Sequence, residues 1–277
     1  MNWIPDSTGR FSQRPIYEPA ELDYAAEQMV DGFLKQKYGE VRFPISTDDL
    51  CVMIEQECSD LDLYADLSPE GVDVEGMTEF FRDTKPAVKI SKNVSLGAGT
   101  DDNLRITLAH EYGHVRFHSF LWELEPPKPL LHMDLSKLDI QRRKIHRFRA
   151  GLNTAIRQPE SGTRSPIRLG GAASSRTAFL CKRGRIVDAP EADWMEWQAG
   201  YISGAILMPF RRLGALFQTF CNGQVKPDEA KAHGIVSSVS EFFDVSQDAS
   251  RTRLQKLGLI PGAAQPEDEP AMYRSPV

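Results

Sequence analysis

Apolar residues recur at helical spacing after residue 101, and this periodicity predicts an amphipathic helix. The recurring positions are Leu104, Leu108, Tyr112 and Val115. Asp101 and Asp102 precede them, and acidic side chains suit the N-terminal end of a helix because they cap free amides and complement the helix dipole. The pattern therefore places the start of this helix near Asp101.

A second predicted helix extends from Trp194 to Leu207, just before Pro209. One face combines the carboxylate of Glu196 with small residues, which would let a neighbouring helix approach closely; they are Ala199, Gly200, Ser203 and Gly204. The other faces are mostly apolar, which favours a buried helix. An unpaired carboxylate there would be costly, so we expect Glu196 to bind a metal ion, with an arginine partner or a capping role as alternatives.

Two further helices are predicted near the N-terminus, where they would form core scaffold. The first begins at Pro19 and ends at Gly39, and its apolar face consists of Leu22, Ala26, Met29, Val30, Phe33 and Leu34. The second begins near Ser46 or Thr47, where Ser46 can cap it. Its buried face comprises Leu50, Cys51, Ile54 and Cys58.

Short strands are predicted over Leu61–Ala65, Val74–Phe81 and Ala87–Ser91, with a hairpin over Ala178–Cys181 and Arg185–Val187. An edge strand near a catalytic site could hold an extended peptide through main-chain hydrogen bonds. The pattern does not tell which strand is the edge.

The C-terminal part is predicted to be helical, with helices after Pro209, over Ile235–Phe243, and over Asp248–Leu257 capped by Ser246. The last two resemble a helix-turn-helix, whose second helix would direct Arg251, Arg253, Gln255 and Lys256 towards bases. The favoured interpretation is that the pair packs as a helical appendage on the rest of the protein.

These elements predict a domain organisation along the chain. We expect a flexible arm over residues 1–18, a main domain over 19–210 with an insertion at about 126–190, and a helical subdomain over 211–260. Four prolines predict a disordered tail over 261–277.

Charge is distributed unevenly. The net charge is −6, yet residues 134–186 contain 13 Lys or Arg against 3 Asp or Glu. Such a segment could contact DNA or an acidic partner protein, although a solvated insertion is the favoured interpretation. Its aromatic residues are Phe148 and Phe179, too few to form a stacking platform for single strands.

Composition predicts a cytoplasmic protein. The chain has no apolar run that could span a membrane, and its first residues lack the pattern of a secretory signal. The four cysteines are too few for a disulfide framework and are expected to be reduced thiols.

The first helix carries the sequence H-E-x-x-H at His110, Glu111 and His114. Residues four apart lie on one helix face, so both imidazoles can bind one metal ion while Glu111 takes a proton from water. This is the arrangement of zinc metalloproteases. Gly113 lies beside the metal-binding face of the helix, where a side chain would prevent the close approach of the element that packs across the metal.

A catalytic zinc usually has three protein ligands, and the third must come from elsewhere. One class uses a histidine six residues after the motif, but that position is Phe120. His118 lies two turns beyond His110, about 12 Å along the axis, so both cannot bind one ion. Glu196 is therefore the predicted third ligand, and His118 is at best a neighbour of the ligands.

Together, Arg105–His114 and Glu196–Gly200, leading to Leu207–Pro209, resemble the ImmA/IrrE family of metallopeptidases. Gly76–Thr78 and Val245–Gly258 are similar to further family stretches. The resemblance covers most of residues 19–260.

The chain departs from the family pattern at two points. Gly200 occupies a position where asparagine is common, and a long insertion separates the two motifs. The insertion leaves substrate and regulation open.

The resemblance implies an α+β, zincin-like fold, with a small sheet over the histidine helix and a mostly helical C-terminal part. It implies one Zn²⁺ held by His110, His114 and Glu196, with Glu111 as general base. Members of the class often add a Tyr or His at the oxyanion, and Tyr201 and His118 are the candidates. The implied substrate is a regulatory protein, typically a helix-turn-helix repressor, cleaved in a stress or mobile-element response.

Two rival hypotheses remain. One is a non-proteolytic regulator with structural zinc that binds DNA or a partner, and the other is a component of a toxin–antitoxin pair. Glu111 argues against the first, because a structural zinc needs no base and usually has four protein ligands.

Overall fold

The computed structural model describes residues 2–97, 101–124, 177–182, 193–221, 227 and 229–261. Two strands precede the first helix, and the elements follow in the order β1 (Asn2–Pro5), β2 (Gln13–Ile16), α1 (Pro19–Tyr38), α2 (Thr47–Glu57), β3 (Asp60–Ala65), β4 (Val74–Phe80), β5 (Ala87–Ser91), α3 (Lys92–Ser95), α4 (Asp101–Leu124), β6 (Thr177–Lys182), α5 (Trp194–Leu207), α6 (Phe210–Cys221), α7 (Glu229–Phe243) and α8 (Gln247–Lys256). The predicted α+β class is confirmed.

The predicted start and end of α1 and the predicted start of α2 are confirmed, together with the residues that cause them. Gly39 ends α1 in the left-handed region at φ 78°, and its N–H donates to the carbonyl of Lys35. This conformation favours glycine because a side chain would crowd the backbone. Ser46 caps α2 by accepting a hydrogen bond from the amide of Asp49 at 3.1 Å.

Four strands form one sheet in the order β3-β5-β4-β6. β3 pairs in parallel with β5, whereas β4 pairs antiparallel with both β5 and β6. Every residue of β4 is buried, since it lies between two strands and packs on α4. Among the strands of the described residues, the edges are therefore β3 and β6. The predicted partner of β6, at residues 185–187, lies outside the described residues.

The main hydrophobic core joins helices from both halves of the chain. It includes Leu22 of α1, Leu108 of α4, Ile202 of α5, Ile235 of α7 and Leu254 of α8. The helical nature of the C-terminal part is confirmed, and α7 begins at Glu229, six residues before the predicted start. The domain boundary after residue 210 stays a prediction.

Helix α8 turns one of its predicted DNA-contacting residues inwards. Arg253 is 2% exposed and forms an ion pair with Asp23 of α1. Its Nε also donates to the carbonyl of Met208 at 3.3 Å. Arg253 therefore joins α8 to α1 and α5, as expected of a helical appendage that packs on the rest of the protein.

Residues 2–16, within the expected flexible arm over 1–18, form an antiparallel hairpin of β1 and β2. Asp6 organises its turn, accepting from the amides of Thr8 and Phe11 at 3.0 Å each. Phe11 is 2% exposed and packs edge-on against Trp122, with ring centroids 5.1 Å apart. The polar and proline residues that suggested loose chain in fact build the turn and the strands.

Apart from β6, the predicted basic insertion at 126–190 lies outside the described residues, as do residues 262–277 of the predicted tail. Where the chain is described, no helix is both long and apolar enough to cross a membrane.

Candidate metal centre

Two helices bring the predicted ligands together. His110 and His114 lie one turn apart on α4, and Glu196 lies in the first turn of α5. The helices approach closely at Gly113, where an added Cβ would lie 3.2 Å from the Cα of Ala199. Gly113 and Ala199 therefore allow the contact that places Glu196 opposite the histidines.

The three side chains form a compact triangle of ligand atoms. His110 Nε2 lies 3.1 Å from Glu196 Oε2, and His114 Nε2 lies 3.2 Å from Glu196 Oε1. The two Nε2 atoms are 3.2 Å apart. A tetrahedral ion with ligand bonds of about 2.0–2.1 Å keeps its ligand atoms roughly 3.3 Å apart. The triangle thus has the size that a small divalent ion requires, and the group could hold one.

The triangle is buried, with exposures of 0% for both histidines and 4% for Glu196. Burial alone would raise the pKa of Glu196, but the adjacent His114 and His110 outweigh it and lower that pKa. Burial alone would lower the pKa of His114, and Glu196 reverses this and raises it. A buried carboxylate that faces two imidazole nitrogens is well suited to bind a cation.

Glu111 projects from α4 to the sheet, where β4 holds it. Thr78 Oγ1 donates a hydrogen bond to Glu111 Oε2 at 2.5 Å. Glu111 Oε1 is buried and has no hydrogen-bond partner within the described part of the chain. Burial raises the pKa of this carboxyl, although His114, His110 and Thr78 act in the opposite direction. One carboxylate oxygen is thus fixed and the other is left for a further partner.

His118 extends the site away from the triangle. Its Nδ1 lies 3.0 Å from Nδ1 of His114, and its Nε2 lies 3.0 Å from Oε1 of Gln198. Burial and the adjacent His114 set the pKa of His118 well below its usual value, so the ring is neutral. His118 therefore contacts the predicted ligand His114 at Nδ1, whereas Nε2 of His114 lies in the triangle.

The structure does not bring Tyr201 to the triangle. Its hydroxyl donates to Asp23 Oδ2 at 2.9 Å, and its ring packs beneath the guanidinium of Arg253. Five residues after Glu196, Tyr201 lies about 140° further round α5. Its hydroxyl therefore stabilises the contact between α1 and α5.

Sequence reasoning missed the roles of Thr78 and Gln198. Thr78 lies in the stretch Gly76–Thr78, which the family resemblance had marked without giving it a function. Gln198 lies two residues after Glu196, about 200° round the helix, so a search along the Glu196 face passes over it. Its role becomes visible only when α4 packs against α5 and places His118 beside Gln198.

A scan against models of known protein families finds none that matches this chain. A search of curated proteins likewise finds no match.

Proposed function

We propose that the protein is a zinc-dependent endopeptidase that cleaves a regulatory protein. The observation that carries this proposal is the position of Glu111. A carboxylate that is 0% exposed, with one oxygen unpartnered in the described structure, is costly unless it serves a function. Beside a triangle of metal-binding atoms, that function is to accept a proton.

The donor set favours zinc. Two imidazole nitrogens and one carboxylate oxygen leave one tetrahedral position open, which is the arrangement of catalytic rather than structural zinc sites. His110, His114 and Glu196 would hold the ion. Bound zinc supplies Lewis acidity, which activates water and polarises the carbonyl of the scissile peptide.

Glu111 would act as general base and then as general acid. Its Oε1 would accept the proton of the attacking water, while Thr78 holds Oε2 and so fixes the direction of the carboxylate. The raised pKa of Glu111 suits this role, because a base with a pKa nearer neutrality can also return the proton to the leaving amine.

The substrate class rests on the resemblance to the ImmA/IrrE family. The motifs His110–His114 and Glu196–Gly200 support this resemblance, and the resemblance implies a helix-turn-helix repressor whose cleavage relieves repression in a stress or mobile-element response. The edge strands β3 and β6 offer main-chain groups that could hold an extended peptide, and β6 lies beside the strand that contacts Glu111.

A second candidate is a non-proteolytic regulator in which the metal only stabilises the fold. The burial of the triangle favours it, since a peptide must reach the ligand atoms to be cleaved. In that case the basic segment 134–186 would be the first region to test for binding to DNA or an acidic protein.

The two candidates differ in the products they leave in cells. We would compare new protein N-termini in cells producing wild type with those in cells producing Glu111→Gln, at rest and under stress. The endopeptidase predicts at least one new N-terminus that appears with wild type alone. Identical N-termini in both, with equal zinc content, would favour the non-proteolytic regulator.

A further inference from the structure

We propose that Pro15, Gln198 and His118 form a hydrogen-bond chain that fixes the tautomer of His114 and so presents its Nε2 to the metal. This inference rests on the metal centre of the proposed function. It makes Gln198 and His118 positioning residues, which act through His114. It also makes the N-terminal hairpin a structural part of the centre.

The hydrogen-bond chain begins at the carbonyl of Pro15 in β2. A carbonyl can only accept a hydrogen bond, and Gln198 Nε2 donates to it at 3.1 Å. This contact determines the orientation of the Gln198 amide, because its NH₂ group must face Pro15. The amide oxygen of Gln198 consequently faces His118.

The orientation of Gln198 then determines the proton on His118. An amide oxygen only accepts, so the contact of 3.0 Å requires the proton of His118 to be on Nε2. A neutral imidazole has one N–H and one lone pair, which leaves the lone pair on Nδ1. That lone pair lies 3.0 Å from Nδ1 of His114.

The final contact determines the proton on His114. Because Nδ1 of His118 accepts, Nδ1 of His114 must donate, so in the neutral ring that binds a metal the lone pair lies on Nε2. This is the nitrogen that lies 3.2 Å from both His110 Nε2 and Glu196 Oε1. His114 is thus set in the only neutral form that can bind a metal through Nε2.

Packing holds the hydrogen-bonded side chains in place. His114 and His118 are both 0% exposed and Gln198 is 4% exposed. The ring of Trp194 packs edge-on against His118, with centroids 5.6 Å apart. By contrast, Nδ1 of His110 has no partner in the described part of the chain, so His114 is the histidine ligand with a defined orientation.

Two substitutions at position 118 separate orientation from packing. His118→Leu removes the acceptor but keeps an apolar buried side chain, whereas the amide oxygen of His118→Asn can replace Nδ1 as acceptor. We expect His118→Leu to weaken zinc binding about 10- to 100-fold, the usual effect of losing a group that orients a ligand. His118→Asn should retain most of the affinity. Ser203→Ala on α5, whose hydroxyl donates to the carbonyl of Gly200 in the same helix, should match wild type.

Zinc affinity would be measured by competition with a chelator, and the tautomers by ¹⁵N NMR of labelled histidines in the zinc-loaded protein. The proposal predicts a proton on Nε2 of His118 and on Nδ1 of His114. A proton on Nδ1 of His118, or equal zinc affinity in His118→Leu and wild type, would overturn it. Equal loss in the Leu and Asn variants would likewise show that the ring acts through packing alone.

These readouts do not depend on peptide cleavage. If the protein binds zinc with the predicted tautomers and cleaves nothing, the hydrogen-bond chain is established and the endopeptidase proposal is rejected. If it cleaves its substrate and the tautomers differ from those predicted, only the proposed hydrogen-bond chain is rejected.

Discussion

Gly76 of β4 lies directly against Glu111 of α4. A Cβ atom added to Gly76 would lie 2.3 Å from Glu111 Oε1, closer than any real contact. Two residues along the strand, Thr78 donates to the other oxygen of the same carboxylate. One strand therefore both makes room for the carboxylate and holds it.

Gly76→Ala should reduce cleavage and leave zinc bound. The added methyl group must push the carboxylate of Glu111 aside, and a displacement of about 1 Å can cost roughly 100-fold in rate. The measurement is the cleavage rate at matched zinc content. Gly32→Ala in α1, where an added Cβ meets nothing within 4 Å, is the control and should retain wild-type activity. Unchanged activity in Gly76→Ala would show that the position of Glu111 does not matter.

Glu111→Gln should abolish turnover and keep zinc. The amide keeps the shape of the side chain but cannot accept the proton, and losing a general base typically costs about 10²- to 10⁴-fold. Cleavage of the substrate identified from N-termini would be followed with both proteins carrying one zinc. A variant that cleaves at the wild-type rate would remove Glu111 from the mechanism.

The same substitution predicts a pH effect on stability in the metal-free protein. Burial raises the pKa of Glu111 above its ordinary value of 4.5, so the folded state binds the proton more tightly than the unfolded state. Proton binding by Glu111 therefore stabilises the folded state at low pH, and this stabilisation is lost as the pH rises through the raised pKa. Glu111→Gln lacks this titration, so its free energy of unfolding, relative to wild type, should increase from pH 4.5 towards neutrality. Parallel urea denaturation curves of the two proteins over this range test the sign.

Glu196→Ala should lose zinc. The binding free energy of a four-ligand zinc site is about 10–16 kcal/mol, so removing one ligand costs roughly 3 kcal/mol, or about 100-fold in affinity. Metal analysis after dialysis against a chelator measures this directly. Trp197→Phe, on the next position of the same helix, serves as the control and should retain the metal.

Arg253 should matter for stability and not for binding DNA. It is buried and paired with Asp23, and removing one partner of a buried ion pair typically costs about 3–5 kcal/mol because the other charge is left uncompensated. Denaturation of Arg253→Met would measure this cost. Arg251→Met, on the same helix but partly exposed, should change stability little. If Arg253→Met were as stable as wild type and lost a salt-dependent affinity for DNA, the helix-turn-helix interpretation would gain support.

Local patterns were sufficient to predict most helices and the grouping of His110, His114 and Glu196. H-E-x-x-H places two imidazoles one turn apart through helix geometry alone. An isolated carboxylate in an apolar helix, such as Glu196, predicts a buried partner for that carboxylate. The end of α1 and the start of α2 followed from Gly39 and Ser46, which act on the backbone within a few residues. Predictions of this kind need no knowledge of the tertiary structure.

Contacts between distant segments could not be predicted. The hairpin of β1 and β2 depends on Asp6, which also accepts from Trp194 Nε1 at 3.2 Å, a residue far along the chain. Gln198 likewise gains its role only because Pro15 and His118 lie on either side of it. Such side chains look unremarkable in sequence, since each one's partners are set by how the helices and the hairpin pack.

The most direct test of the proposed metal centre is a crystal structure of the zinc-loaded protein, measured at the zinc absorption edge. The account predicts one anomalous peak per chain, about 2.0–2.2 Å from His110 Nε2, His114 Nε2 and a carboxylate oxygen of Glu196, with no protein side chain as fourth ligand. A peak away from these three residues would contradict the centre itself. A fourth protein ligand on the same ion would contradict the catalytic assignment and make the zinc structural.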